Sequence, residues 1–119
     1  MEAKEKRLEY YETADGNVPF REWFAALRDR KAQATVDARL GRVQLGNLGE
    51  YEPVGDGVLE LKIDVGPGYR VYFGPVGRAL ILLLCGGDKS TQKKDIKTAR
   101  SYWADYRRRH GPQKTHVPR

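Results

Sequence analysis

The sequence of 119 residues predicts an α+β fold, in which two N-terminal helices pack on a small antiparallel-rich sheet that is followed by a C-terminal helix. Three observations predict this arrangement. Apolar residues recur at helical spacing in two consecutive segments near the N-terminus, and in one more near the C-terminus. Between them, apolar residues first alternate with polar ones and then form a short unbroken run, which is typical of strands.

The N-terminal half predicts one strand and two helices. Residues 7–13 place apolar side chains among charged ones and form a first strand, which a turn at residues 15–17 ends. Pro19 suits the first turn of the next helix. That helix has an apolar stripe of Phe20, Trp23, Phe24 and Leu27. The second helix, residues 32–45, has a stripe of Ala32, Val36, Leu40 and Val43, and glycines close it.

A β-hairpin follows, and it carries the first candidate site. Residues 59–65 and 69–73 alternate apolar with polar side chains, and a Gly66-Pro67-Gly68 turn joins them. The polar face of the hairpin collects Glu60, Lys62, Asp64, Arg70 and Tyr72. Exposed charges on adjacent strands are common and contribute under about 1 kcal/mol each. Composition alone therefore favours a solvated face with cross-strand ion pairs over a functional site.

The chain then predicts a buried strand and the last helix. Residues 80–85 are apolar throughout, which indicates a central strand covered on both faces. We expect Gly86-Gly87 to break this strand and Ser90 or Thr91 to cap the helix. The helix has an apolar stripe of Ile96, Ala99, Trp103 and Tyr106. We expect a single domain over residues 1–106 and a basic, flexible tail over residues 107–119.

The glycine-rich exit from the buried strand is the second candidate site. Residues 86–94 have the sequence GGDKSTQKK and lead into the start of the last helix. Free backbone N–H groups at such a start bind anions, and lysines there oppose the helix dipole unless a phosphate neutralises them. Solvated lysines explain the pattern equally well. The spacing does not match a Walker loop, so nucleotide hydrolysis is not predicted.

Composition narrows the classes of function. The net charge of +6 favours a polyanionic partner, either nucleic acid or an acidic protein. Cys85 is the only cysteine, so we expect a packed thiol in a cytoplasmic protein, with no disulfide. Because His110 and His116 both lie in the predicted tail, we expect no metal site and no cofactor. No apolar run is long enough to span a bilayer, and no membrane partner is expected.

Three strings in this order resemble the RelE/ParE toxin superfamily, and within it the HigB-like branch of addiction module killer proteins. They are GDGVLELKI at residues 55–63, GPGYRVYF at 66–73 and LLLCGGDKSTQ at 82–92. The resemblance covers about residues 5–106 and implies a fold that agrees with the element order above. It also implies the toxin of a type II toxin-antitoxin system, a metal-independent endoribonuclease that cleaves mRNA on the ribosome and inhibits translation.

The resemblance assigns roles to individual residues. Arg70 and Lys89 match basic positions that would stabilise charge on the phosphorane, while Lys62 or Glu60 handles the proton of the ribose 2′-OH. RelE-like toxins often carry a tyrosine or histidine in the C-terminal segment, which is here replaced by Lys93, Lys94 and Asp95. This leaves Glu60, Asp88 or a lysine of lowered pKa as the general base. The residues expected to contact RNA are Tyr72, Asp88, Gln92, Lys93 and Lys94.

The expected partners are a small helix-turn-helix antitoxin, mRNA and the ribosome. Two other functions remain open. A ParE-like toxin shares the fold and inhibits DNA gyrase without cutting RNA, and a non-catalytic module would bind nucleic acid alone. The basic residues Lys62, Arg70 and Lys89 favour the nuclease, although basic clusters also serve protein and DNA binding.

Overall fold

The computed structural model describes residues 5–110, which form a five-stranded mixed sheet and three helices. The elements in chain order are β1 Arg7–Tyr10, α1 Pro19–Ala26, α2 Arg30–Gln44, β2 Tyr51–Gly55, β3 Val58–Ile63, β4 Tyr69–Val76, β5 Leu80–Asp88 and α3 Gln92–His110. A 3-10 turn, Lys89–Thr91, joins β5 to α3. The α+β class is the one that the sequence predicts.

The strand order in the sheet is β1-β5-β4-β3-β2. β1 runs parallel to β5, and the other neighbours are antiparallel. Residues 81–85 of β5 are all buried, which confirms that this strand is covered on both faces, although β4 occupies the middle of the sheet. The edge strand β2 is not among the predicted elements. It contains Pro53 and is mostly exposed, so it lacks the apolar alternation by which strands are recognised.

Helices cover both faces of the sheet. On one face, α1 and α2 bury their predicted stripes against apolar residues of β3, β4 and β5. On the other face, Ala99 and Trp103 of α3 pack against Val58, Tyr72 and Leu84. The polar face of the β3–β4 hairpin lies beside the start of this helix, where Gln92 bonds to Glu60.

The sequence suggests that Gly86 and Gly87 end β5, but this prediction is wrong. Both glycines lie within the strand, which continues to Asp88. Their missing side chains make room for neighbours. A Cβ atom on Gly86 would overlap the Trp23 ring, and one on Gly87 would overlap the Asp95 carboxylate. The cap differs in part from the expectation: Asp88 is the N-cap of the following turn, because its Oδ1 accepts from the backbone N–H of Ser90 at 2.8 Å. Thr91 completes a capping box, since its hydroxyl accepts from the backbone N–H of Asp88.

The last helix continues through Arg107–His110, beyond the domain end expected at residue 106. Arg109 Nη2 donates to Oδ2 of Asp105 at 2.7 Å and to the carbonyl of Glu12 at 2.6 Å. The Tyr11 hydroxyl donates to the same carboxylate at 2.6 Å. These bonds fix the helix end to the segment after β1. The remainder of the predicted tail, residues 111–119, lies outside the described residues.

Loss of the Arg109 contacts at the end of α3 is therefore expected to destabilise the domain. Arg109→Ala in the full-length chain should lower the melting temperature by several degrees, whereas Arg108→Ala, which removes only an exposed pair with Asp105, should not. The hydrogen bonds from Arg109 and Tyr11 lower the pKa of Asp105. The part of the Arg109 contribution that depends on Asp105 should thus be complete above the ordinary aspartate pKa of about 3.9 and be lost as the pH falls through the lowered value. Circular dichroism melts at several pH values test this, and equal melting of both variants at neutral pH would contradict it.

Candidate functional site

The predicted polar face exists at the end of the sheet where β5 leads into α3. The register of β3 and β4 places Glu60 opposite Tyr72 and Lys62 opposite Arg70. This confirms that these side chains share one face, and the cross-strand ion contacts are the diagonal ones from Arg70 to Glu60 and to Asp64. The expectation of a solvated face is wrong, because Glu60, Arg70 and Tyr72 are buried. The start of α3 covers this end of the face, since Gln92 contacts Glu60.

Glu60 is the centre of a buried hydrogen-bonded cluster. Its side chain is 1% exposed, and its Oε2 accepts from the Tyr72 hydroxyl at 2.9 Å and from Nε2 of Gln92 at 2.8 Å. Burial and the neighbouring Glu60 raise the pKa of Tyr72, so this phenol stays protonated and acts as a donor. The cluster holds the Glu60 carboxylate in one orientation, facing Arg70.

Arg70 brings a nearly buried positive charge next to this carboxylate. Its Nε lies 3.9 Å from Oε1 of Glu60, too far for a hydrogen bond, and has no hydrogen-bond partner among residues 5–110. Nη1 donates to the Tyr69 carbonyl at 3.2 Å and lies 3.7 Å from Oδ1 of the exposed Asp64. Taking a guanidinium out of water without completing its hydrogen bonds costs free energy. Such an incompletely paired charge marks a candidate site for an anionic ligand.

The side chains of Lys89 and Arg70 both lie beside Gly68, in the tight turn that precedes β4. The Lys89 backbone N–H donates to the carbonyl of Gly68 at 3.0 Å, so the exit from β5 is fixed to this turn. A Cβ atom on Gly68 would lie 2.7 Å from Cδ of Lys89 and 3.7 Å from Nη1 of Arg70. The absent side chain of Gly68 thus leaves room for the aliphatic part of the Lys89 side chain beside the Arg70 guanidinium. The structure brings the two predicted phosphate ligands together, one buried and one exposed.

Lys62 forms an ion pair that the sequence does not predict. Its Nζ lies 2.8 Å from Oε1 of Glu52, on the edge strand β2. The hydrogen bond to Glu52 raises the pKa of Lys62, and the same bond lowers the pKa of Glu52. Lys62 is therefore a cation at neutral pH and does not have the lowered pKa expected of a lysine base. The sequence does not predict that Glu52 belongs to the site, because it does not predict the strand β2.

Several predicted roles do not fit the geometry. Tyr72 is 0% exposed and cannot stack on a base, because α3 covers it. Glu60 is buried as well, so a ribose hydroxyl cannot reach it for proton transfer. Oδ1 of Asp88 is occupied by the backbone and hydroxyl of Ser90, and the Gln92 amide is bonded to Glu60. The exposed lysines of the first turn of α3, Lys93 and Lys94, remain accessible to RNA.

Other chemistry has little support in the described part of the chain. Cys85 is a buried thiol, as expected, and burial raises its pKa to about 12. Within residues 5–110, no three His, Cys, Asp or Glu side chains lie close enough together to hold a metal ion. None of the helices described is long and apolar enough to cross a membrane.

No protein-family model matches this sequence. A protein of Haemophilus influenzae, named only as an uncharacterized protein, is 51% identical to the chain over 83 residues. These residues are 70% of this chain and 84% of the relative.

Proposed function

We propose that this chain, which belongs to the same protein family as the Haemophilus influenzae relative, is a metal-independent endoribonuclease and the toxin of a type II toxin-antitoxin system. The observation that carries the proposal is Arg70, a nearly buried guanidinium with an unpaired Nε, placed beside Lys89 and opposite Lys62. A guanidinium with a lysine side chain beside it suits a phosphate whose negative charge grows during the reaction. The resemblance to RelE-like toxins supports the same fold and chemistry.

The reaction is attack of a ribose 2′-OH on the adjacent phosphorus, with loss of the 5′-oxygen of the next nucleotide. A base removes the 2′-OH proton, the bond between phosphorus and the 5′-oxygen breaks, and the leaving oxygen takes up a proton. The products are a 2′,3′-cyclic phosphate and a 5′-hydroxyl. Arg70 and Lys89 stabilise the charge on the phosphorane oxygens. Glu60 positions Arg70 by balancing its charge within the sheet.

Glu52 is the general base that the geometry favours. Its carboxylate is half exposed and therefore open to a ribose, whereas Glu60 is enclosed. The hydrogen bond from Lys62 keeps Glu52 ionised and orients it next to the Lys62–Arg70 pair. Asp64 is a second exposed carboxylate near Arg70, but it has a weaker contact, at 3.7 Å from Nη1. Lys62 then contributes as a positioning residue for the base and as a cation.

The proposed partners follow from this activity and from the net charge of +6. They are mRNA, the ribosome and a small helix-turn-helix antitoxin that covers the basic site in the cytoplasm. Co-expression of the gene that neighbours the toxin gene should rescue growth. If expression of this chain alone at a high level is harmless, the chain is not a toxin and the proposal is contradicted.

The chemistry of the cut ends tests the proposed function. Purified protein is added to ribosomes translating a defined mRNA, and the new ends are mapped by primer extension. Ends with a 5′-hydroxyl and a 2′,3′-cyclic phosphate are expected, whereas 5′-phosphate ends indicate a different mechanism and contradict the proposal. Absence of cleavage with inhibition of gyrase supercoiling would identify the ParE-like function. RNA binding with neither activity would identify a non-catalytic module.

Glu52→Gln should lower the single-turnover cleavage rate on the order of a hundredfold, because general base catalysis contributes at least that factor. The melting temperature should stay nearly constant, since the side chain is half exposed. Asp64→Asn is the matched control, an exposed carboxylate near the same arginine, and should change the rate by only a few fold. The opposite result, with a slow Asp64→Asn and a fast Glu52→Gln, would move the base to Asp64.

A further inference from the structure

The outward face of α3 carries a continuous basic stripe. We define this stripe as Lys93, Lys97, Arg100 and Arg107, with Ala104 between the two arginines. Steps of three and four residues place all five on one side of the helix, and all five are exposed. The two carboxylates of α3 point elsewhere: Asp95 lies against Gly87, and Asp105 bonds to Tyr11 and Arg109. The stripe therefore receives no neutralising charge from its own helix.

The basic stripe starts at the candidate site. Lys93 directly follows Gln92, whose side chain donates to Glu60, the residue next to Arg70. Lys89 precedes Lys93 by four residues, about one helical turn. From residue 93 to residue 107 the helix rises about 21 Å. This length accommodates a strand of a few nucleotides, within the range of single-stranded sites on proteins.

The positive charges of the stripe are mostly uncompensated. Lys93, Lys97 and Arg107 form no ion pair with any residue of the range 5–110. Arg100 pairs with Asp56 at 3.0 Å, but both side chains are exposed, and such pairs are weak. Like charges at spacings of three and four residues repel one another and destabilise a helix. A bound polyanion would remove this repulsion.

A cavity of about 320 Å³ lies between the two arginines of the stripe. Arg100 and Arg107 line it together with Trp103, Ala104 and the β2–β3 turn, whose Asp56 is the ion-pair partner of Arg100. The Arg107 guanidinium lies 5.9 Å from the centre of the Trp103 ring. Trp103 is 6% exposed, and its Nε1–H has no hydrogen-bond partner in the described part of the chain. A depression with two arginines at its edges suits the phosphate and sugar of a nucleotide.

We propose that the basic stripe binds the backbone of single-stranded RNA outside the cleavage site, with one nucleotide in the cavity between Arg100 and Arg107. This inference rests on the proposed function for the identity of the ligand. An acidic protein is the other candidate for such a surface. Stable protein interfaces are centred on apolar or aromatic anchors, and the stripe offers only Ala104 among its exposed residues. Regularly spaced cations without such an anchor favour a nucleic acid backbone.

The test measures binding separately from cleavage. Fluorescence anisotropy follows a labelled 2′-O-methyl oligoribonucleotide of about 12 nucleotides, a length within known single-strand site sizes, which the proposed chemistry cannot cut. Lys97→Gln/Arg107→Gln should lower affinity about tenfold or more and reduce the slope of log K against log salt by roughly 1.4, which is 0.7 for each lost contact. Arg28→Gln/Lys31→Gln removes the same charge from the region of α1 and α2 and should change neither quantity. Lys97→Arg/Arg107→Lys should keep both.

The outcomes separate this inference from the proposed function. Unchanged affinity and salt slope in Lys97→Gln/Arg107→Gln would overturn the stripe, even if mRNA is cut on ribosomes. If the variant loses RNA affinity and the wild-type protein cuts no RNA, the basic stripe is supported and the proposed nuclease activity is rejected. A variant that keeps RNA affinity but loses binding to an acidic protein would overturn the inference and assign the surface to that class of partner.

Discussion

Replacing Arg70 with alanine should slow RNA cleavage on the order of a hundredfold and also destabilise the domain. The rate effect follows from losing a preorganised donor to the phosphorane. The stability effect follows from burial: without Arg70, the enclosed Glu60 carboxylate loses its nearest cation, at a cost of about 3 kcal/mol. An exposed arginine on a solvated strand face would have cost under about 1 kcal/mol, as the sequence alone suggests. Single-turnover cleavage and urea unfolding measure the two effects.

A second substitution separates the two effects of Arg70. In Arg70→Ala/Glu60→Gln the stranded carboxylate becomes a neutral amide, so part of the lost stability should return while cleavage stays low. Arg70→Lys keeps a charge but not the planar guanidinium, and should also cleave slowly. Lys89→Ala should lower the rate without a loss of stability, because Lys89 is exposed. A folded Arg70→Ala or Arg70→Ala/Glu60→Gln protein that cleaves at the wild-type rate would remove Arg70 from the mechanism.

The sequence predicts which residues meet in the hairpin but not whether water reaches them. Alternation along two strands joined by a short turn predicts that the polar side chains share one face, because strand neighbours depend on local spacing. The observed register then pairs Glu60 with Tyr72 and Lys62 with Arg70. Burial of the same pairs depends on Gln92, at the start of a helix that is distant in sequence. No local pattern carries that information, so composition wrongly favours a solvated face.

Local sequence patterns also do not predict the edge strand β2. β2 contains Pro53 and exposed side chains, which local patterns assign to a loop as readily as to a strand. Its pairing with β3 places Glu52 beside Lys62. Arg39 stabilises this edge from α2 by donating to the carbonyls of Leu48, Glu50 and Lys62. The carboxylate that we propose as the general base thus depends on contacts that only the folded chain shows.

The glycines of β5 show how a local signal leads to the wrong element. A Gly-Gly pair after an apolar run predicts the end of a strand, since glycine weakens strands and favours turns. Here Gly86 lies within β5 and has no positive φ, so its backbone does not require glycine. What requires glycine is the Trp23 indole, whose ring occupies the space that a Cβ atom would take. The cause is tertiary packing rather than a turn.

Gly86→Ala should accordingly destabilise the domain by about 3 kcal/mol, the upper range for overpacking in a close-packed core. Trp23 cannot move aside at low cost, because Phe20 and Tyr69 flank its ring at centroid distances of 5.6 and 6.2 Å. Gly41→Ala is the matched control: nothing lies within 4 Å of its new Cβ, so it should stabilise α2 by about 0.5 to 1 kcal/mol. Urea unfolding midpoints measure both changes. Gly86→Ala/Trp23→Leu should recover part of the loss, because the smaller side chain leaves room for the methyl group. If Gly86→Ala unfolds at the wild-type midpoint, the close approach of Trp23 does not explain why glycine occupies this position.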